Sequence, residues 1–424
     1  MLKHKGTLYI AGGGGLYSIT KNRYKHLIKG VFVTGLVKNG DTVLAAAQNG
    51  KVYKFYNEEL YKTISLPITP RKKTLCYGLA IDGKQRTWVG SWKGIYVLDK
   101  SDELLAFVSL KNLSEKDDAK IIDLHIDSKD RLWTTTSAHG IYKIDNFLES
   151  DPGGIQHKMI SYKREAGNPK SLTSNIIMNY EEDNKNQMWF GSDIGIVSYN
   201  ESSDDFDRLR YQGKLFDKKI MTLKKDGADN LWITTINDGI YVYNLEEKTF
   251  RHFTKTDGLI SNAFLFGSGY YDHTEKMMYF GTDEGVQQID LSKPFEEKQI
   301  APPVVTHFKV NSTDGKSTIP AYSAPHLKTI SLAPDQNDFS ISFSALDFTN
   351  PEKLQYAYAL DDGPFKIADL QTAYFTNVPF GNHRLKVQTL YDGIIQEQGV
   401  SCLSIYINPL GTSAIWPSSS ICYL

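Results

Sequence analysis

His139, Asp193 and Asp238 each stand one or two residues before a glycine, in SAHG, SDIG and INDG. An imidazole and two carboxylates brought to one mouth could serve acid–base cleavage of a polysaccharide. Asn237, Asp283 and Glu284 hold the same place in INDG and TDEG. In SWKG it is held by Trp92 and Lys93, with Arg71, Lys72 and Lys73 in the segment upstream. An indole beside several cations suits an acidic sugar, because the ring stacks on a pyranose face while the cations pair its carboxylate. For any single residue the plain alternative is a solvated loop side chain lying over an apolar edge. These ten positions, Arg71, Lys72, Trp92, Lys93, His139, Asp193, Asn237, Asp238, Asp283 and Glu284, are the candidate ligand contacts; nothing in their spacing demands catalysis.

Other chemistries find less support. GGGG at 12–15 lacks the Lys-Ser/Thr of a phosphate loop, and neither GxSxG nor HExxH occurs. Asp127, Asp183, Asp226 and Asp272 are followed three residues on by Asp130, Asn186, Asp229 and Glu275. Six or more oxygens for calcium are not supplied by that spacing, whereas an Asp in a turn readily caps its own backbone. No metal or cofactor is expected. Cys76, Cys402 and Cys422 make no zinc spacing and no disulfide framework. The 48 basic residues against 49 acidic ones leave no positive excess for a nucleic acid. No stretch is apolar and long enough to span a membrane, and MLKHKGTLYIAGGGG is not a convincing signal peptide.

The loops that carry these residues belong to a repeat. LWTTTSAHGIYKID begins at Leu132 and LWITTINDGIYVYN at Leu231, and looser copies bring the number to seven. Their leading positions are Tyr9, Leu44, Trp88, Trp133, Trp189, Trp232 and Tyr279; their glycines are Gly15, Gly50, Gly94, Gly140, Gly195, Gly239 and Gly285. Such a period belongs to β-propeller blades. Each blade is read as four strands, A innermost to D outermost. The aromatic lies on strand B, buried between blades, and the glycine opens strand C. The B–C and D–A loops then share one face, the usual ligand side. The first copy is expected to lack its inner strand. After Pro294, seven strand-like runs between turns such as DDGP and PFGN predict an immunoglobulin-like sandwich. The expectation is therefore an all-β chain: a seven-bladed propeller, incomplete at its first blade, over 1–296; a sandwich over 297–408; and an atypical tail over 409–424.

The blades resemble the two-component-regulator propeller repeat, which runs "D..G.lWigT..GLyryd". DFSISFSALDFTNPEKLQYAYALDDGPF resembles the start of the three-tyrosine domain, with Tyr356 and Tyr358 as its tyrosine pair. VPFGNHRLKVQ is similar to its later segment, with His383-Arg384 where tyrosine is usual. The combination is similar to the sensor region of hybrid two-component histidine kinases that detect glycan fragments. The resemblance implies a periplasmic, non-enzymatic module that binds an oligosaccharide and dimerises through the sandwich. GTSAIWPSSSICYL stands where the family continues toward a membrane helix and a kinase, so the chain is read as a fragment or frame-disrupted copy. The alternatives are a polysaccharide-active propeller lyase or hydrolase and a protein-binding propeller scaffold.

Overall fold

A computed structural model describes residues 1–21, 23–67, 75–92, 94–110, 120–145, 147, 159–293, 300–310, 328–348 and 350–409. The chain divides into two compact units, Met1–Pro294 and Phe295–Leu424. Among the described residues there is no α-helix, and no helix is long and apolar enough to cross a membrane.

The described residues of the first unit form seven antiparallel blade sheets in chain order, with a two-stranded hairpin, Arg210–Tyr211 and Lys214–Leu215, between the fifth and sixth. The sixth blade is representative: strand A is Ile220–Lys225, B is Asn230–Thr235, C is Ile240–Asn244 and D is Phe250–Phe253. Strand B is buried along nearly its whole length, as expected of a strand covered on both faces by neighbouring blades. Trp88, Trp133 and Trp232 are wholly buried and Trp189 nearly so. Each indole meets the following blade: Trp133 contacts Phe190 and Tyr199, Trp189 contacts Tyr243, and Trp232 contacts Phe280. Burying one such ring contributes, as an upper figure, about 4 kcal/mol.

One expectation is corrected. The first blade does have its inner strand, Leu2–His4, paired with Thr7–Tyr9. Three residues suffice because Lys5 and Gly6 both take positive φ, 47° and 75°, the backbone of a tight two-residue hairpin. Its Lys3 closes the ring against the last blade, with Nζ 2.9 Å from Asp272 and 2.5 Å from Glu275. In the seventh blade the described residues form three strands, Phe264–Asp272, Met277–Thr282 and Val286–Asp290.

The second unit packs two sheets face to face. One holds Val304–Val310, Phe339–Ser344 and Thr372–Phe375. The other runs Thr329–Leu332, Ile394–Ile407, Gly381–Tyr391, Leu354–Leu360 and Lys366–Ile367, the first pair being parallel. Phe308, Phe339, Phe343, Tyr356, Phe375, Leu385 and Ile405 form its core. Tyr356 is buried and its hydroxyl accepts the Ala345 N–H at 2.9 Å; Tyr358 packs edge-on against Phe375.

Candidate functional site

Every candidate residue in the described part sits in a B–C loop, and a single hydroxyl shapes each of these loops. Strand B ends in, or is followed at once by, a Ser or Thr whose side chain donates to the carbonyl of the glycine that opens or precedes strand C. The bonds are Ser91 to Gly94, Thr136 to Gly140, Ser192 to Gly195 and Thr235 to Gly239, all 2.9 Å, and Thr282 to Gly285 at 3.1 Å. The same oxygen accepts the His139 and Asp238 N–H groups at 2.9 Å. Glycine is required next to it: a Cβ at Gly239, where φ is +69°, would lie 2.0 Å from the Phe253 carbonyl oxygen.

The four acidic A–B turns are on the opposite face and are structural. Asp226 Oδ1 accepts the Ala228 and Asn230 N–H groups, and its Oδ2 accepts the Trp232 indole N–H. Asp130, Asn186 and Asp229, which suggested calcium, are the left-handed residues of those turns. Among the described residues no three His, Cys, Asp or Glu side chains gather as a metal site.

On the rim the structure distributes the candidates unevenly. Trp92 is half-buried rather than exposed, and the Lys120 ammonium lies 5.0 Å from its ring centre. Arg71, Lys72, Lys73 and Lys93 lie outside the described residues. Asp238 is bound by Lys218 at 2.7 Å and by the Tyr241 hydroxyl at 2.8 Å. Burial opposes its charge, but Lys218, Tyr241 and His252 outweigh it and hold the carboxyl below its usual range. His252 stacks flat on Tyr241 and hydrogen-bonds the Asp238 carbonyl at 2.7 Å. Glu284 pairs with Lys255 at 2.9 Å, and Asp283 accepts the Ser261 hydroxyl at 2.6 Å. Asn237 is exposed, His139 is half-buried, and Asp193 has a buried Oδ1 without a hydrogen-bond partner among the described residues.

No described hydrogen bond or ion pair joins His139, Asp193 and Asp238 to one another. A general acid needs a raised pKa, and Asp238 is held ionised by a cation. Sequence reasoning missed Lys120, Lys218, Lys255, Ser261 and His252, which decide how much charge the rim shows. The first four lie in or beside D–A segments, and that position was their available signal.

Deeper, the inner strands turn polar groups into the channel. Lys224 of the sixth blade pairs with Glu181 of the fifth at 2.8 Å. Burial pushes the Asp123 carboxyl up to about 6, against the Leu124 N–H and the Lys224 charge.

A propeller followed by a sandwich is also the fold of several solved proteins. The extracellular domain of the hybrid two component system BT3049 from B. thetaiotaomicron is similar in fold, with a TM-score of 0.66 at 20% identity over 96% of this chain and 54% of that one. The extracellular domain of BT4673 from the same organism gives 0.52 at 18% identity, covering 96% and 56%. PorZ, a surface component of the type-IX secretion system of Porphyromonas gingivalis, gives 0.57 at 14%, covering 96% and 59%. This chain therefore spans a little over half of each. Among curated proteins it is similar to Histidine kinase P4 of Formosa agariphila, 23% identical over 223 residues, 49% of this chain and 16% of the kinase. No family model matches.

Proposed function

We propose that this chain is the ligand-sensing, periplasmic part of a two-component receptor, and that its propeller binds an oligosaccharide on the B–C and D–A rim. The observation that carries the reading is the likeness in fold, over 96% of the chain, to the extracellular domain of a hybrid two-component system. The rim supports it: half-buried Trp92 with Lys120 offers an aromatic and a cation together, and His139 and Asn237 add polar groups. The sandwich passes the bound state on by dimerising. Its exposed Phe348, Leu370 and Tyr374, 82%, 95% and 64% accessible, are consistent with a covered surface in the assembled receptor. Binding shifts the signalling equilibrium only by its differential affinity for the two arrangements.

A thermal-shift screen of neutral and uronate oligosaccharides tests this. A ligand at a hundred times its Kd adds about 2.7 kcal/mol and raises the melting temperature. No shift with any sugar, together with stoichiometric capture of a protein partner, would replace this reading with the scaffold one. New reducing or unsaturated ends on a polysaccharide would replace it with the enzyme.

A further inference from the structure

The seventh blade departs from the others at one place on its inner strand. In blades two, four, five and six, strand A carries one extra residue near its upper end: Thr34, Ile122, Met178 and Met221. In the seventh, Phe264 pairs with Thr282 and Gly269 with Phe280, so four residues, Leu265 to Ser268, stand opposite Gly281 alone. Strand A is innermost, and its free edge faces the channel. The surplus therefore loops out at the mouth, on the side of the B–C loops, because the strand leads from there to the A–B turn after Asp272.

This loop is fixed. The Ser268 N–H donates to Thr222 Oγ1 at 3.1 Å, and the Ser268 hydroxyl reaches the Leu265 carbonyl at 2.6 Å and the Gly281 carbonyl at 3.2 Å. Gly267 turns the tip with φ of +60°. Gly281 leaves room for it, since a Cβ there would meet Ser268 Cβ at 2.9 Å. What the loop displays is apolar: Leu265 is 49% and Phe266 44% exposed. A rigid turn that spends its tip on two large apolar side chains in water has no explanation in the packing of the ring.

We infer that Phe266 is the stacking platform of the propeller mouth and takes the apolar face of a neutral pyranose ring. The inference rests on the oligosaccharide reading above and adds to the Trp92–Lys120 pair a second, more exposed aromatic contact. A neutral ring is the choice that suits the loops flanking Phe266, where Lys218 and Lys255 are already paired with Asp238 and Glu284.

The test is calorimetry of the full chain against neutral (xylo-, manno-, gluco- and galacto-) and uronate hexasaccharides, with the variants Phe266→Ala, Phe266→Trp and Trp92→Ala. A neutral hexasaccharide that binds the wild type should bind Phe266→Ala at least tenfold more weakly and Phe266→Trp as well or better. The melting temperature of Phe266→Ala should not fall, because the ring is half exposed. Equal binding by wild type and Phe266→Ala, or loss in Phe266→Trp as well, overturns the platform and leaves the oligosaccharide reading standing. Absence of binding by the wild type to every hexasaccharide overturns both.

Discussion

The Trp232 indole N–H donates to the Asp226 carboxylate, six residues upstream, at 2.8 Å. The bond recurs as Trp88 to Asp82 at 2.8 Å, Trp133 to Asp127 at 2.7 Å and Trp189 to Asp183 at 2.9 Å. One carboxylate thereby ties the A–B turn to the ring that wedges the next blade. Asp226→Ala would orphan the indole N–H and release two turn amides from their acceptor. A loss of about 2–4 kcal/mol is expected, read as a lower urea midpoint at unchanged m value. An unaltered midpoint would make the carboxylate dispensable.

Ring closure gives a second prediction. Lys3 is half-buried against Asp272 and Glu275, and the Tyr270 hydroxyl donates to the Lys3 carbonyl at 3.3 Å. Burial disfavours the ammonium, but Glu275 and Asp272 outweigh it and raise its pKa. Burial likewise opposes the Asp272 charge, and Lys3 with the Glu275 and Thr274 N–H groups overcomes it, so Asp272 is depressed. A depressed carboxylate contributes stability above its unfolded pKa, about 3.9, that is lost as pH falls through the folded value. Lys3→Met should lower stability by about 1–3 kcal/mol at neutral pH. The melting-temperature gap to wild type should narrow as the solution is acidified below about pH 4. A gap independent of pH would assign the effect to packing.

The repeats were legible because one chemistry recurs: a turn Asp, a buried indole, a hydroxyl and a glycine at nearly fixed spacing. What escaped falls between repeats or is too short to alternate. Leu2–His4 is three residues long, below what a period-two pattern can register. The four-residue turn at Leu265 to Ser268 leaves the copy around Tyr279 unchanged and so left no mark on it. Lys120 meets Trp92 from the next blade, and Lys218 meets Asp238 from a preceding loop. These contacts depend on how loops of different copies approach each other, which no single copy encodes. Among the described rim residues, Asp238, Asp283 and Glu284 each have a partner that the sequence did not reveal.

Between the fourth and fifth blades, Glu182 gives a prediction in acid. Its carboxylate accepts the Ser128 N–H at 3.0 Å and hydroxyl at 2.5 Å, and it lies 3.2 Å from His125 Nε2. Burial opposes ionisation, but His125 and Ser128 prevail and bring the pKa down to about 2. Its contribution is present above the unfolded value of about 4.3 and is lost as pH falls toward the folded one. Partial exposure reduces the full linkage to about 1–2 kcal/mol. Glu182→Gln should lose that amount at neutral pH and show a flatter decline on acidification, followed by denaturant melts across the range. A parallel decline in both proteins would exclude Glu182 as the titrating group.

The sandwich carries a pair whose contribution is lost toward alkaline pH. His383 Nδ1 is 2.8 Å from Asp361, and its Nε2 is 2.8 Å from the Pro379 carbonyl oxygen. Both partners accept, so both ring nitrogens must donate, and the geometry selects the imidazolium. Burial works against that charge, yet Asp361 and the Pro379 carbonyl outweigh it and raise the pKa above the ordinary histidine value. A raised group contributes stability that is complete below its unfolded pKa, about 6.5, and is lost as pH rises through the folded value. Asp361 is depressed, so its share is lost only in acid. The pair therefore stabilises the sandwich from mildly acid to near-neutral pH and fades above it. His383→Ala should be less stable than wild type below about pH 6.5 and converge on it as the solution becomes alkaline. An imidazole NMR titration checks the cause directly: a His383 pKa at or below about 6.5 would mean that Asp361 and Pro379 do not hold the proton there.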